Sequence, residues 1–120
     1  MTAKELVERF YQSDGFRNKE VMQEFLDDDL EFHWHSTKGF LKMDKTDLME
    51  LSKELNRSYT SSRVAFSHIL EEGNSVTVRF AYFVTPIETP TEEQILAYFI
   101  TIWEVADGKL FRGYQMSQLD

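Results

Sequence analysis

The patterning of apolar and polar positions is most informative in the last quarter of the chain. Ile95-Leu-Ala-Tyr-Phe-Ile-Thr-Ile-Trp-Glu-Val105 and Leu110-Phe-Arg-Gly-Tyr-Gln-Met116 flank Ala106-Asp107-Gly108-Lys109. Asp-Gly between β-branched and aromatic runs predicts a hairpin, because glycine takes φ > 0 without a steric penalty. In the first strand Ile95, Ala97, Phe99, Thr101, Trp103 and Val105 share one face; Leu96, Tyr98, Ile100 and Ile102 share the other. Both faces are apolar, so both are expected to be covered. The chain's own helices supply one cover, and a second subunit is expected to supply the other.

Upstream, Thr2 with Glu5 reads as a capping box, followed by the helical stripe Leu6, Val7, Phe10 and Tyr11, with Gly15 as the expected helix stop. A second helix starts near Asn18, buries Val21, Met22, Phe25 and Leu26, and ends near Leu26, since Asp27-Asp28-Asp29 opposes the macrodipole. Those aspartates read as a solvated helix-to-strand corner rather than a metal cluster. Leu30 to His35 alternates as a strand, and Thr37 to Phe40 reads as a loop. Asp44 with Asp47 caps a third helix with the stripe Leu48, Leu51, Ser52 and Leu55. Strands follow over Ser58–Leu70 and Ser75–Thr85, turning at Glu71-Glu-Gly73-Asn74, with a loop from Pro86 to Pro90. The order is helix, helix, strand, helix, then four strands in antiparallel meander. That is an α+β domain spanning 1–120, with three helices on a curved, mostly antiparallel sheet and a pocket at the open end of the cone.

Composition narrows the function classes. At 120 residues, 42% hydrophobic and 14% aromatic, the chain makes one domain with a real core. Its net charge of −8 and lack of any basic block argue against nucleic acid and anionic membranes as partners. The absence of cysteine excludes disulfides and thiolate chemistry. No apolar run reaches the roughly 18 residues of a membrane span, and the charged, helical start is unlike a signal peptide, so cytoplasm is the expected compartment.

Phe25-Leu-Asp-Asp-Asp-Leu-Glu-Phe-His-Trp34 and Trp103-Glu-Val-Ala-Asp-Gly-Lys-Leu110, with this element order, resemble the nuclear transport factor 2-like superfamily and its SnoaL-like branch. The resemblance covers nearly the whole chain. It implies a cystatin-like α+β roll with a conical, mostly apolar cavity and commonly a homodimer through the outer sheet face. A cystatin-like or ferredoxin-like domain without a cavity is the alternative, disfavoured by two helices before the first strand. Within the superfamily, ketosteroid isomerase has an oxyanion-holding tyrosine, a base and a protonated aspartate; the matching positions here are Phe10, Trp34 and, near a one-residue slip at the turn, Thr101. That isomerase chemistry is therefore not expected. The cyclase-type ending Gly-Lys-Ile-x-x-His-Trp-Asp reads here as Gly113, Tyr114 and Gln115 at its last three places, without its histidine and acid.

If Phe111, Gly113, Gln115 and Ser117 face the cavity, as the resemblance implies, the wall gathers Phe10, Trp34, Phe99, Thr101, Trp103 and Gln115 as ligand-binding residues. The bland alternative is that the aromatics interdigitate and fill the cone. Glu31, His33 and His35 share a strand face, a spacing that suits a metal, yet with Trp34 inward that face is the solvated outer one. A bulge after Trp34 would turn His35 inward as a general base. His68 follows Val64 and Phe66 and is a structural histidine first, a pocket base second. No metal or cofactor is expected. Three functions stay open: a pocket for a small apolar or aromatic ligand; an isomerase, dehydratase, cyclase or hydrolase using His35 or His68; and a protein-interaction module working through the outer sheet face.

Overall fold

A computed structural model describes the whole sequence, Met1 to Asp120. Helix α1 (Ala3–Gln12) begins at the expected capping box: Glu5 N–H donates to the Thr2 hydroxyl at 3.1 Å, and Thr2 N–H to the Glu5 carboxylate at 3.3 Å. It buries Leu6, Val7, Phe10 and Tyr11, the stripe read from the sequence. The chain leaves it through Asp14, whose φ of 54° is left-handed, into a 3-10 turn over Gly15–Arg17. Gly15 is thus not the left-handed stop. It is small because a Cβ there would lie 2.4 Å from the Phe10 ring.

Asn18 caps α2 (Lys19–Phe25) by accepting from the N–H groups of Glu20 and Val21. Strand β1 (Leu26–Ser36) takes over at once and includes the three aspartates. They form an irregular entry: Asp29 N–H donates to the Asp27 side chain at 2.8 Å, and pairing with the neighbouring strand slips between Leu26 and Glu31. β2 (Gly39–Met43) pairs antiparallel with β1, where the sequence suggested loop for Thr37 to Phe40. Its residues are mostly exposed, so no alternation marked it. α3 (Lys45–Ser58) starts at a second capping box, Asp44 with Asp47. The long strands β3 (Tyr59–Glu72), β4 (Ser75–Pro86), β5 (Gln94–Ala106) and β6 (Lys109–Leu119) complete one sheet in the order β2-β1-β6-β5-β4-β3. All neighbours are antiparallel except β1 and β6.

The hairpin between β5 and β6 turns at Asp107 and Gly108, with φ of 51° and 73°, as the Asp-Gly signal predicted. Two bulges matter for the site. Leu96 has no partner between Ala97↔Tyr82 and Ile95↔Phe83, and Ser67 none between Phe66↔Phe80 and His68↔Arg79. Each extra residue bends its strand and reverses the facing of the residues beyond it. The three helices cover one side of this sheet. On the same side Phe10, Phe32 and Trp103 are fully buried, with ring centroids 6.0 Å apart for Phe10–Trp103 and 5.3 Å for Phe32–Trp103. Rings of this size bury more apolar area per side chain than the aliphatic residues around them.

Candidate functional site

The helices and sheet diverge beyond that aromatic cluster and leave a cavity of about 540 Å³. Leu51 and Leu55 of α3 form one wall; Phe80, Tyr82 and Phe99 of the sheet form the other. Phe80 and Phe99, both lining residues, stack on each other at 5.1 Å and 11°. Trp34 tilts against Phe99 at 6.3 Å, and its indole N–H donates to the Ser117 hydroxyl at 2.8 Å. The mouth is the β1–β2 turn, Ser36 to Gly39, where Lys38 is the one charged lining residue.

Of the six ligand-binding positions read from the sequence, Trp34, Phe99 and Gln115 line this space. Phe10, Thr101 and Trp103 do not. They are fully buried beneath it and close the narrow end of the cone. The filled-core alternative therefore describes the lower half of the molecule and the cavity the upper half. Strand parity places Phe99, Thr101 and Trp103 on one face, and they do share it, but parity carries no information on depth. Gly113 lies on the inward face, against Phe32 and Trp103, and Ser117 lines the cavity.

The two candidate bases lie elsewhere. Pairing runs without a break through Trp34↔Leu41 and His35↔Phe40, so no bulge follows Trp34 and His35 stays on the outer face. There its ring lies 4.5 Å from that of Phe40. His68 is turned out by the bulge at Ser67, and its Nδ1 sits 3.0 Å from the Ser67 hydroxyl. Neither imidazole borders the cavity. Glu31 Oε1 lies 3.9 Å from His33 Nε2, while Lys42 and Arg112 hold its two oxygens at 3.1 and 3.3 Å. The Lys42 hydrogen bond, first, keeps its carboxyl below the usual range. The cavity lining contains no Asp, Glu or His at all.

Tyr11 and Tyr82, which the sequence reading did not single out, complete the polar part of the site. Trp103 N–H donates to the Tyr11 hydroxyl at 2.9 Å, and the Thr101 hydroxyl donates to the Gln115 side-chain oxygen at 2.7 Å. Both pairs are buried, and the second ends at Gln115 in the cavity lining. Burial drives the Tyr11 phenol well above its ordinary value and keeps it protonated. Tyr82 shows an aromatic face to the cavity while its hydroxyl has no hydrogen-bond partner; burial first pushes that phenol up to about 12. Behind it, Arg17 Nε bonds Asp14 at 3.0 Å and Ser62 at 2.8 Å, and Nη1 bonds Asn56 at 2.9 Å, tying the 3-10 turn to α3 and β3. Tyr11 sits in plain view beside Phe10 in the α1 stripe. Tyr82, Phe16 and Leu96 carry no signal, since only the cone's closure brings them to one wall.

No curated protein sequence matches the chain. Solved structures do. The candidate polyketide cyclase IdmH from Streptomyces antibioticus superposes with a TM-score of 0.77 at 15% identity, over 98% of this chain and 92% of that one. AclR from Streptomyces galilaeus, described as a candidate hydroxylase, gives 0.78 at 13% identity over 98% and 79%. TerC, co-crystallised with polyporic acid, gives 0.70 at 21% identity over 98% and 91%. At these identities the likeness is one of fold. The model of the SnoaL-like domain matches residues 7–113, and with this fold the chain belongs to the SnoaL-like family of the nuclear transport factor 2-like superfamily.

Proposed function

We propose that this protein binds a small apolar or aromatic molecule in the upper half of its cone. The observation that carries this reading is the lining: 11 of 17 residues around the roughly 540 Å³ space are hydrophobic, and none is a carboxylate or an imidazole. Such a wall desolvates a ring compound readily but supplies no acid–base pair near neutral pH. The alternative of an isomerase-, dehydratase-, cyclase- or hydrolase-type enzyme with a pocket histidine has no imidazole to draw on there. TerC's crystallisation with polyporic acid supports an aromatic occupant by analogy.

The same reading includes a homodimer through the outer sheet face. Tyr98, Ile100, Ile102, Tyr114 and Met116 project from β5 and β6 and are 40–66% exposed, a contiguous apolar area that water does not favour. Cytoplasm remains the proposed compartment; no helix is long and apolar enough to cross a membrane.

Native mass spectrometry of protein purified without detergent tests the binding role. A co-purifying aromatic compound, competed off by an apolar fluorescent dye that quenches Trp34, supports it. Failure of every such dye to enter, with Trp34 emission unchanged at saturation, overturns it.

A further inference from the structure

The polarity of the Thr101–Gln115 pair follows from donor and acceptor capacity. An amide oxygen only accepts, so the fully buried Thr101 hydroxyl donates to the Gln115 side-chain oxygen, at the 2.7 Å usual for O–H···O. Flipping the Gln115 amide would aim its N–H₂ at Thr101 and leave the threonine proton without an acceptor in a fully buried place, which costs more than a hydrogen bond contributes. One orientation satisfies both groups. It leaves the amide N–H₂ of Gln115, a cavity-lining residue, as the end directed into the hollow.

We propose that Gln115 is a hydrogen-bond donor of fixed polarity at the cavity floor, set by the buried Thr101 hydroxyl, and that it selects ring compounds presenting a carbonyl oxygen at their buried end. This deepens the binding role proposed above and rests on it. A hydrocarbon of the same shape leaves the amide unpaired in an apolar setting, and a ligand with only a donor there meets a like group. The lining, with Trp34, Phe80 and Phe99 in it, favours an apolar ring system for the ligand body.

The test uses two probes of one shape, 9-fluorenone and fluorene, titrated against tryptophan emission of the full-length protein. The ketone is expected to bind about tenfold more tightly, the size of one well-made hydrogen bond in a dry site. In Gln115→Met the ratio of the two affinities is expected to fall to about one, and in Thr101→Val to fall substantially, since the amide is then free to turn over. The carbonyl stretch of bound fluorenone should move to lower frequency in the wild-type protein and not in Gln115→Met. If either variant fails to fold, the wild-type ratio and the wild-type stretch decide alone. Equal affinities with an unshifted stretch overturn the donor role and leave the pocket standing. Failure of both probes to bind removes the pocket, and this inference with it.

Discussion

Gly113 and Phe32 meet so closely across the β1–β6 pair that a Cβ on residue 113 would lie 2.4 Å from the phenyl ring, with Trp103 at 2.9 Å on the other side. In the cyclase-type ending that this strand resembles, the equivalent place holds a histidine. Here two aromatic rings already occupy that volume, so a side chain at position 113 has no room. Gly113→Ala is expected to destabilise the fold by about 1–3 kcal/mol, the range for overpacking a filled core. Urea denaturation checks this, and Phe32→Leu in the same chain should recover part of the loss by making room.

The imidazoles are expected to be bystanders. His35 and His68 lie outside the cavity, so His35→Ala and His68→Ala should each leave ligand affinity, and any turnover found, within about twofold, as is usual for exposed sites. A tenfold loss in either would mean that the strand registers differ from those described.

The outer face offers a direct assembly test. Ile100 and Met116 are cross-strand partners, 48% and 66% exposed. A chain of 14.2 kDa should sediment at twice that mass, and Ile100→Asp with Met116→Asp should sediment at 14.2 kDa while keeping the far-ultraviolet spectrum.

Acid should weaken the fold through Asp28 and Glu31. Asp28 accepts from the nearly buried Lys45 ammonium at 2.9 Å, and that hydrogen bond holds its carboxyl below the ordinary value of 3.8. Lys42 acts likewise on Glu31, whose ordinary value is 4.5. A carboxyl lowered in the folded state contributes stability that is complete above its unfolded value and lost as pH falls through the folded one. The drop in urea midpoint between pH 7 and about pH 3 should therefore be smaller in Asp28→Asn with Glu31→Gln than in the wild type. An equal drop would show that neither pair is linked to folding.

Much of the frame is legible in the sequence. Capping boxes at Thr2 and Asp44 place two helix starts, and Asp107-Gly108 places the closing turn, because these are local rules of one or two hydrogen bonds or a single φ. Facing is legible too, wherever strands run without a bulge. What escapes depends on distant parts of the chain. Alternation points Leu96 outward, yet it lines the cavity, because the bulge that turns it is visible only in its pairing with β4. Trp103 and Phe99 share a face yet differ in role, one plugging and one lining, because the distance between helices and sheet grows toward the mouth. β2 lacks a buried face and so lacks a pattern.

The place of β6 in the sheet has a consequence for biogenesis. It comes after every other strand in chain order yet sits third across the ribbon, joining β2-β1 on one flank to β5-β4-β3 on the other. Without residues 109–119 the strand order divides into β2-β1 and β5-β4-β3, with the rims of β1 and β5 unpaired. Nascent chains arrested before that point should be captured by chaperones and cut readily by protease, whereas chains released beyond it should snap shut in a single cooperative step.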